Sequence, residues 1–173
     1  RWTYAEPADG WTGVRDATRF GPACMQKSYP EDSFFFRPSD PTSEDCLHLN
    51  VWSSMPSNEK LPVMVWIHGG ALTRGTGVGT VYDGTELAKK GVVLVTINYR
   101  LGVFGYLAHP ELSKESNSSG NYGTSDQIEA LRWVKANISA FGGDPENVTI
   151  FGESAGSWSV NQLVASPKAA GLF

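Results

Sequence analysis

The chain has 173 residues, of which 40% are apolar and 12% aromatic, enough material for one well-buried core. Its formal net charge is -4 at pH 7, and its lysines and arginines are scattered rather than clustered. That balance excludes the basic footprint of a nucleic-acid or anionic-membrane binder and suits a small neutral substrate.

No run approaches the roughly 20 continuous apolar residues of a membrane helix, and the opening RWTYAEPADGW lacks a charged-then-apolar signal pattern, so the chain reads as soluble with no membrane span. Residues 1 to 46 are punctuated by Gly, Pro and Asp without sustained periodicity and read as an irregular N-terminal cover. Within it, Cys24 and Cys46 enclose a loop rich in Pro, Ser and Asp; a bridge there would contribute about 3 kcal/mol, and two reduced thiols are the alternative. Residues 47 to 173 read as a sheet-helix core. Segments Leu47 to Trp52, Pro62 to His68, Val92 to Asn98 and Val148 to Phe151 are short, apolar and β-branched or aromatic, as expected of strands buried on both faces of a parallel sheet.

Helical patterns lie between these strands. The clearest is predicted to begin at Thr124 with Gln127 closing a capping box, to place Ile128, Leu131, Val134, Ile138 and Phe141 on one face, and to end at Gly142 and Gly143. Strands alternating with helices imply βαβ units and an open α/β sheet, in which chemistry sits at the carboxyl ends of the strands. Asn-x-Ser/Thr triplets at Asn117, Asn137 and Asn147 mark possible glycosylation sites and, with the possible disulfide, lean toward a secreted or otherwise extracytoplasmic protein.

The segment VTIFGESAGSWSVNQLV carries the sharpest chemical signal, because Gly152, Ser154 and Gly156 form a G-x-S-x-G pattern between a strand and a helix. A serine at such a turn sits in strained backbone, and flanking side chains would collide with the neighbouring strand and helix, hence the two glycines. The turn holds the hydroxyl out of the sheet, while the first amides of the helix, that of Ala155 included, point at the place where oxyanion charge develops. An ordinary Gly-rich turn with a capping serine is the competing reading. Earlier in the chain, VMVWIHGGALTRGTG follows a strand with His68, Gly69, Gly70 and Ala71, whose unencumbered amides complete an oxyanion hole together with Ala155.

These motifs, together with EDCLHLNVW at Glu44 to Trp52, NYRLGVFGY at Asn98 to Tyr106 and FGGDPENVTIFGESAGS at Phe141 to Ser157, resemble the type-B carboxylesterase and cholinesterase-like family from about Phe20 to the end of the chain. The resemblance implies an α/β-hydrolase fold, present here in part, and ester hydrolysis through an acyl-enzyme with a Ser-Glu-His triad in that order. On these positions it implies Ser154 as the nucleophile, Gly70, Ala71 and Ala155 as oxyanion donors, and a Cys24 to Cys46 disulfide. The family's acid and histidine fall beyond Phe173, so the chain is expected to be a fragment whose Glu or Asp and His come from a missing C-terminal segment or a second chain, and to be nearly inactive alone. His48 in a strand pattern, His68 opening the oxyanion loop and His109 before Pro110 each have a structural reading ahead of that of general base.

Relatives that hydrolyse choline esters carry a tryptophan in the disulfide loop for cation-π contact. This loop offers Phe34, Phe35 and Phe36 instead, expected to pack under the loop or to line an apolar pocket, which favours a general carboxylesterase over a cholinesterase. Glu153, beside the nucleophile, is a further pocket residue and a candidate for tuning the local field. The rival reading from another class is a non-catalytic esterase-like adhesion or binding protein, against which the intact serine, glycines and oxyanion loop all speak. Ser57 to Lys60 spells S-x-x-K without a following K-T-G, and Gly75, Gly77 and Gly79 lack dinucleotide spacing and read as a flexible loop near the site. With no Cys/His cluster of metal-ligand spacing, neither a metal nor a cofactor is implied.

Overall fold

The computed structural model describes residues 1–34, 36, 41–54 and 60–173. In chain order these form β1 (Ala23–Cys24), β2 (Thr42–Ser43), β3 (Leu49–Trp52), β4 (Leu61–Ile67), α1 (Thr85–Ala88), β5 (Val93–Ile97), α2 (Gly102–Tyr106), α3 (Pro110–Ser116), α4 (Tyr122–Asn137), β6 (Gly143–Gly152) and α5 (Ala155–Ala165). β3 to β6 make one sheet in the order β3-β5-β4-β6, with β4 parallel to both of its neighbours.

The apolar runs become strands because the sheet buries them. Every residue of β5 is buried, and in β4 the alternate residues Val63, Val65 and Ile67 are fully so. Ile128, Leu131 and Val134 of α4 pack on this layer with Ile138 and Leu163. β3 departs from the expected parallel arrangement: it runs antiparallel to β5, pairing Leu49 with Ile97 and Trp52 with Leu94, and all four of its residues are only half-buried. Among the described residues it is paired on one side only, and an antiparallel strand can keep one face near solvent.

The helix expected from Thr124 starts two residues earlier, at Tyr122, and the capping box does not form. Tyr122 is fully buried beside Tyr4, their rings 5.6 Å apart, and Arg100 stands over its face. Gln127 faces inward and donates to Ser159 Oγ at 2.9 Å instead of turning back to cap its own helix. Asn137 closes α4; a 3-10 turn over Ile138–Phe141 then carries Phe141 to a partly exposed position, off the buried face on which it was expected. β6 reaches back beyond Val148 to Gly143, with the pairing to β4 jumping from Leu61↔Gly143 to Val63↔Val148. Pro145 is accommodated in that irregular stretch of a strand paired, among the described residues, on one side only.

Residues before β3 contribute the short parallel pair of β1 and β2, closed by a disulfide between the buried Cys24 and Cys46. Asn98, one residue beyond β5, joins this segment to the sheet. Its Nδ2 donates to the carbonyls of Pro22 and Cys46, both at 3.2 Å, and its Oδ1 accepts from the Gly77 amide at 2.8 Å. Arg100 and the buried Asp126 form a three-bond clasp between the strand-end segment and α4, through the Arg100 amide, Nε and Nη2. Among the described residues no helix is long and apolar enough to cross a membrane.

Candidate active site

The register of the sheet assembles the site. Ile67 ends β4 directly beside Gly152 at the end of β6, so His68-Gly69-Gly70 and Glu153-Ser154 leave the sheet side by side. Ser154 has φ 54° and ψ -121°, a conformation that L-residues with a Cβ rarely adopt and that costs on the order of 1–3 kcal/mol. It occupies the N-cap position of α5, yet its hydroxyl makes no capping hydrogen bond, which removes the capping-serine alternative. Its carbonyl accepts from the Trp158 amide at 3.2 Å, so the helix begins at once.

The flanking glycines are there for close approach. A methyl group on Gly152 would stand 2.7 Å from the Ile67 carbonyl oxygen and 2.6 Å from the Gly156 carbonyl carbon; one on Gly156 would overlap the Ile67 carbonyl outright. A methyl on Gly69 would lie 2.7 Å from Glu153 O and 3.1 Å from Ser154 Cβ, so the loop after β4 runs in contact with the serine turn. Ala155 is buried beneath it, and Ser154 and Glu153 are exposed.

The loop itself is a run of left-handed backbone: φ is 105° at Gly70, 55° at Ala71 and 59° at Leu72. The Gly70 carbonyl accepts from Thr73 and Arg74 at 3.0 and 3.1 Å, and the Leu72 carbonyl accepts from Gly102 at 2.7 Å. Two glycines of the run that follows are held by side chains distant in sequence. Gln26 clamps Gly75 from both sides, its Oε1 accepting from the amide and its Nε2 donating to the carbonyl, each at 2.7 Å. Gly75 also packs on the His68 ring so closely that a side chain there would overlap it, and a methyl on Gly77 would stand 2.8 Å from the Ile97 carbonyl.

All three histidines hold structural positions. His68 is buried, stacked on Tyr99 with centroids 4.4 Å apart, and its Nδ1 lies 2.8 Å from the Gly69 carbonyl. That contact requires a proton on Nδ1, and burial depresses the pKa to about 4, so the ring is neutral near pH 7. His48 precedes β3 and lies against Gly21, while exposed His109 caps α3 by accepting from the Glu111 amide. Among the described residues no His, Cys, Asp and Glu gather as a metal-holding group.

Phe34 is 73% exposed, Phe36 is half-buried, and Phe35 lies outside the described residues. A cavity beside the Gly75 turn is lined by Tyr29, Tyr82, Val78, Val81, Gln26 and Thr76, among others. Tyr29, Gln26, Asn98 and Arg74 escaped the motif reading because each acts through a contact distant in sequence; only Arg74, four residues past Gly70, carried a positional hint. Asn117, Asn137 and Asn147 are all exposed.

A family model described as the carboxylesterase family matches residues 1–173. The chain is 47% identical to fumonisin B1 esterase of Sphingopyxis macrogoltabida and 50% identical to para-nitrobenzyl esterase of Bacillus subtilis, each alignment covering 100% of this chain and 32% and 35% of those proteins. Among solved structures, a carboxylesterase of Geobacillus stearothermophilus superposes with a TM-score of 0.85 at 50% identity, over 100% of this chain and 35% of that one. The chain thus spans about a third of the length of these relatives. The parallel β4–β6 pairing, the strained serine between β6 and α5 and the match over the whole chain agree on one assignment: this chain belongs to the carboxylesterase family and carries part of an α/β-hydrolase fold.

Proposed function

We propose that this chain supplies the nucleophile and the oxyanion donors of a serine carboxylic ester hydrolase, with the triad acid and histidine outside these residues. The observation that carries the reading is Ser154, held at φ 54° between β6 and α5, with its hydroxyl uncommitted to a helix cap and the Gly69 backbone against it. Strain of this kind persists only where the surroundings over-determine it, here through Gly152, Gly156 and the adjacent end of β4.

In the reaction, a histidine removes the Ser154 proton as Oγ attacks the ester carbonyl, and the amides of Gly70, Ala71 and Ala155 receive the oxyanion. The alcohol departs with that proton, and water releases the acid from the acyl-enzyme. Each lost oxyanion donor costs about a hundredfold to a thousandfold in turnover, which gives the clamped loop its purpose. The disulfide and the exposed sequons at Asn117, Asn137 and Asn147 support an oxidising, extracytoplasmic location with glycans on this surface.

Intact-mass analysis of the full-length protein after fluorophosphonate treatment tests the assignment. One adduct, mapping to Ser154 and absent from a Ser154→Ala variant, is the expected result. A folded protein that stays unlabelled, or that labels at another residue, overturns it.

A further inference from the structure

One charged side chain beside the serine turn has no structural employment that accounts for its charge. Arg74 closes the oxyanion loop: its amide donates to the Gly70 carbonyl at 3.1 Å, and a methyl on Gly70 would stand 3.2 Å from its Cγ. Its stem is therefore laid along the loop. The guanidinium is carried over the Tyr29 ring, with Cζ 5.2 Å from the centroid. The next residue, Gly75, is held at both backbone groups by Gln26, so the point from which the side chain departs is fixed.

Among the described residues Arg74 forms no ion pair, nor do Arg15 and Arg19, while Arg1, Arg100 and Arg132 each have a carboxylate partner; of the three unpaired arginines Arg74 is the one packed on the loop after β4. The Tyr29 hydroxyl is raised chiefly by burial, lowered by the Arg74 charge and raised again by Glu153, the residue preceding the nucleophile. One phenol thus feels both charges, and it lines the cavity next to the loop. Stacking on a ring also preorganises an arginine for a planar anion, because the fork is oriented while its edge donors stay open.

We propose that Arg74 is a specificity-determining residue that recognises a carboxylate on the substrate, so that the preferred substrates are esters bearing a free carboxylate, such as half-esters of dicarboxylic acids. The proposal rests on the esterase reading above. A carboxylate docked on Arg74 is met by a delocalised cation with paired donors, and the aliphatic remainder of such an ester has Val78 and Val81 in the adjoining cavity.

The test uses the full-length protein and two matched pairs of esters. 4-Nitrophenyl hydrogen glutarate is compared with 4-nitrophenyl pentanoate, placing the carboxylate on the acyl side, and 4-acetoxybenzoate with 4-methylphenyl acetate, placing it on the alcohol side. The readout is the anionic-to-neutral ratio of kcat/KM. In Arg74→Gln this ratio is expected to fall at least tenfold for one pair, mainly through KM; Arg74→Lys should restore part of it, and Arg74→Glu should lower it further. In the wild type the ratio for that pair should also decline with added salt. A merely structural arginine lowers both members of a pair together, so ratios unchanged within threefold in both pairs overturn the proposal. If the wild type cleaves none of the four esters and Ser154 takes no fluorophosphonate, the esterase reading itself has failed. Labelling of Ser154 with unchanged ratios rejects the arginine's role alone.

Discussion

Gly156, in the first turn of α5, lies so close to the Ile67 carbonyl oxygen at the end of β4 that no side chain fits between them. The contact joins α5, which begins just after Ser154, to the strand that leads into the His68 to Gly70 loop, so the two parts of the candidate site share one point of support. A methyl group there also stands 3.0 Å from the His68 carbonyl. Gly156→Ala should therefore push α5 away from β4, costing about 3 kcal/mol by overpacking and lowering kcat at least tenfold. Urea denaturation and ester kinetics on the full-length protein read the two effects, and wild-type values in both would contradict the account.

A second prediction concerns the polar link from α4 to α5. Gln127 Nε2 donates to Ser159 Oγ at 2.9 Å, and Ser159 Oγ donates to the Ala155 carbonyl at 3.1 Å, one residue past Ser154. Gln127 is fully buried, and its Oε1 has no partner, so removing the serine strands both ends of the amide. Ser159→Ala should cost about 2 kcal/mol, and adding Gln127→Leu should recover part of that loss. A double-mutant cycle showing simple additivity would mean that the two side chains do not act as a pair.

Acid should weaken the fold through His68. The folded ring has its pKa depressed to about 4 by burial, against about 6.5 when unfolded, so above pH 6.5 both states are neutral and nothing is lost. As pH falls from about 6.5 to about 4 the unfolded chain gains a proton that the folded one refuses, and stability drops by about 3 kcal/mol before levelling off. Comparing wild type with His68→Phe by urea denaturation across this range isolates the contribution. An identical pH dependence in both proteins would rule it out.

The disulfide should prove hard to reach. Cys24 and Cys46 are 2% and 1% exposed, so dithiothreitol in native buffer is expected to release no thiols, whereas in urea both should titrate. Cys24→Ala/Cys46→Ala should lose about 3 kcal/mol of stability, the loop-closure entropy of the bridge. Rapid reduction without unfolding would contradict the burial.

What could be read from the chain, and what could not, divides by range. The β5 run was legible because burial on both faces dictates it, whereas β4, read the same way, is buried at alternate residues only, and the serine turn was legible because its glycines stand at fixed spacing about the serine. Strand direction is not written in a strand's own residues, so β3 could not be recognised as antiparallel. Thr124 and Gln127 imitate a capping box because nothing local reveals that Gln127 is bound by Ser159, on a helix much later in the chain. Likewise Gly75 to Gly79 look loose until Gln26 and Asn98 are brought against them.

The parallel pairing of β4 with β6 also dictates an order of events in biosynthesis. All of α1 to α4 is made between these two strands, so β6, which leads into the serine turn, is synthesised well after its partner β4. Until it docks, the His68 to Gly75 segment has no serine beside it, and Ser154 has no neighbouring strand to impose its backbone angles. Reactivity at Ser154 is thereby coupled to the slowest kind of contact to form, a long-range parallel one. An affinity label for that serine, applied during refolding, would time the docking of β6 on β4.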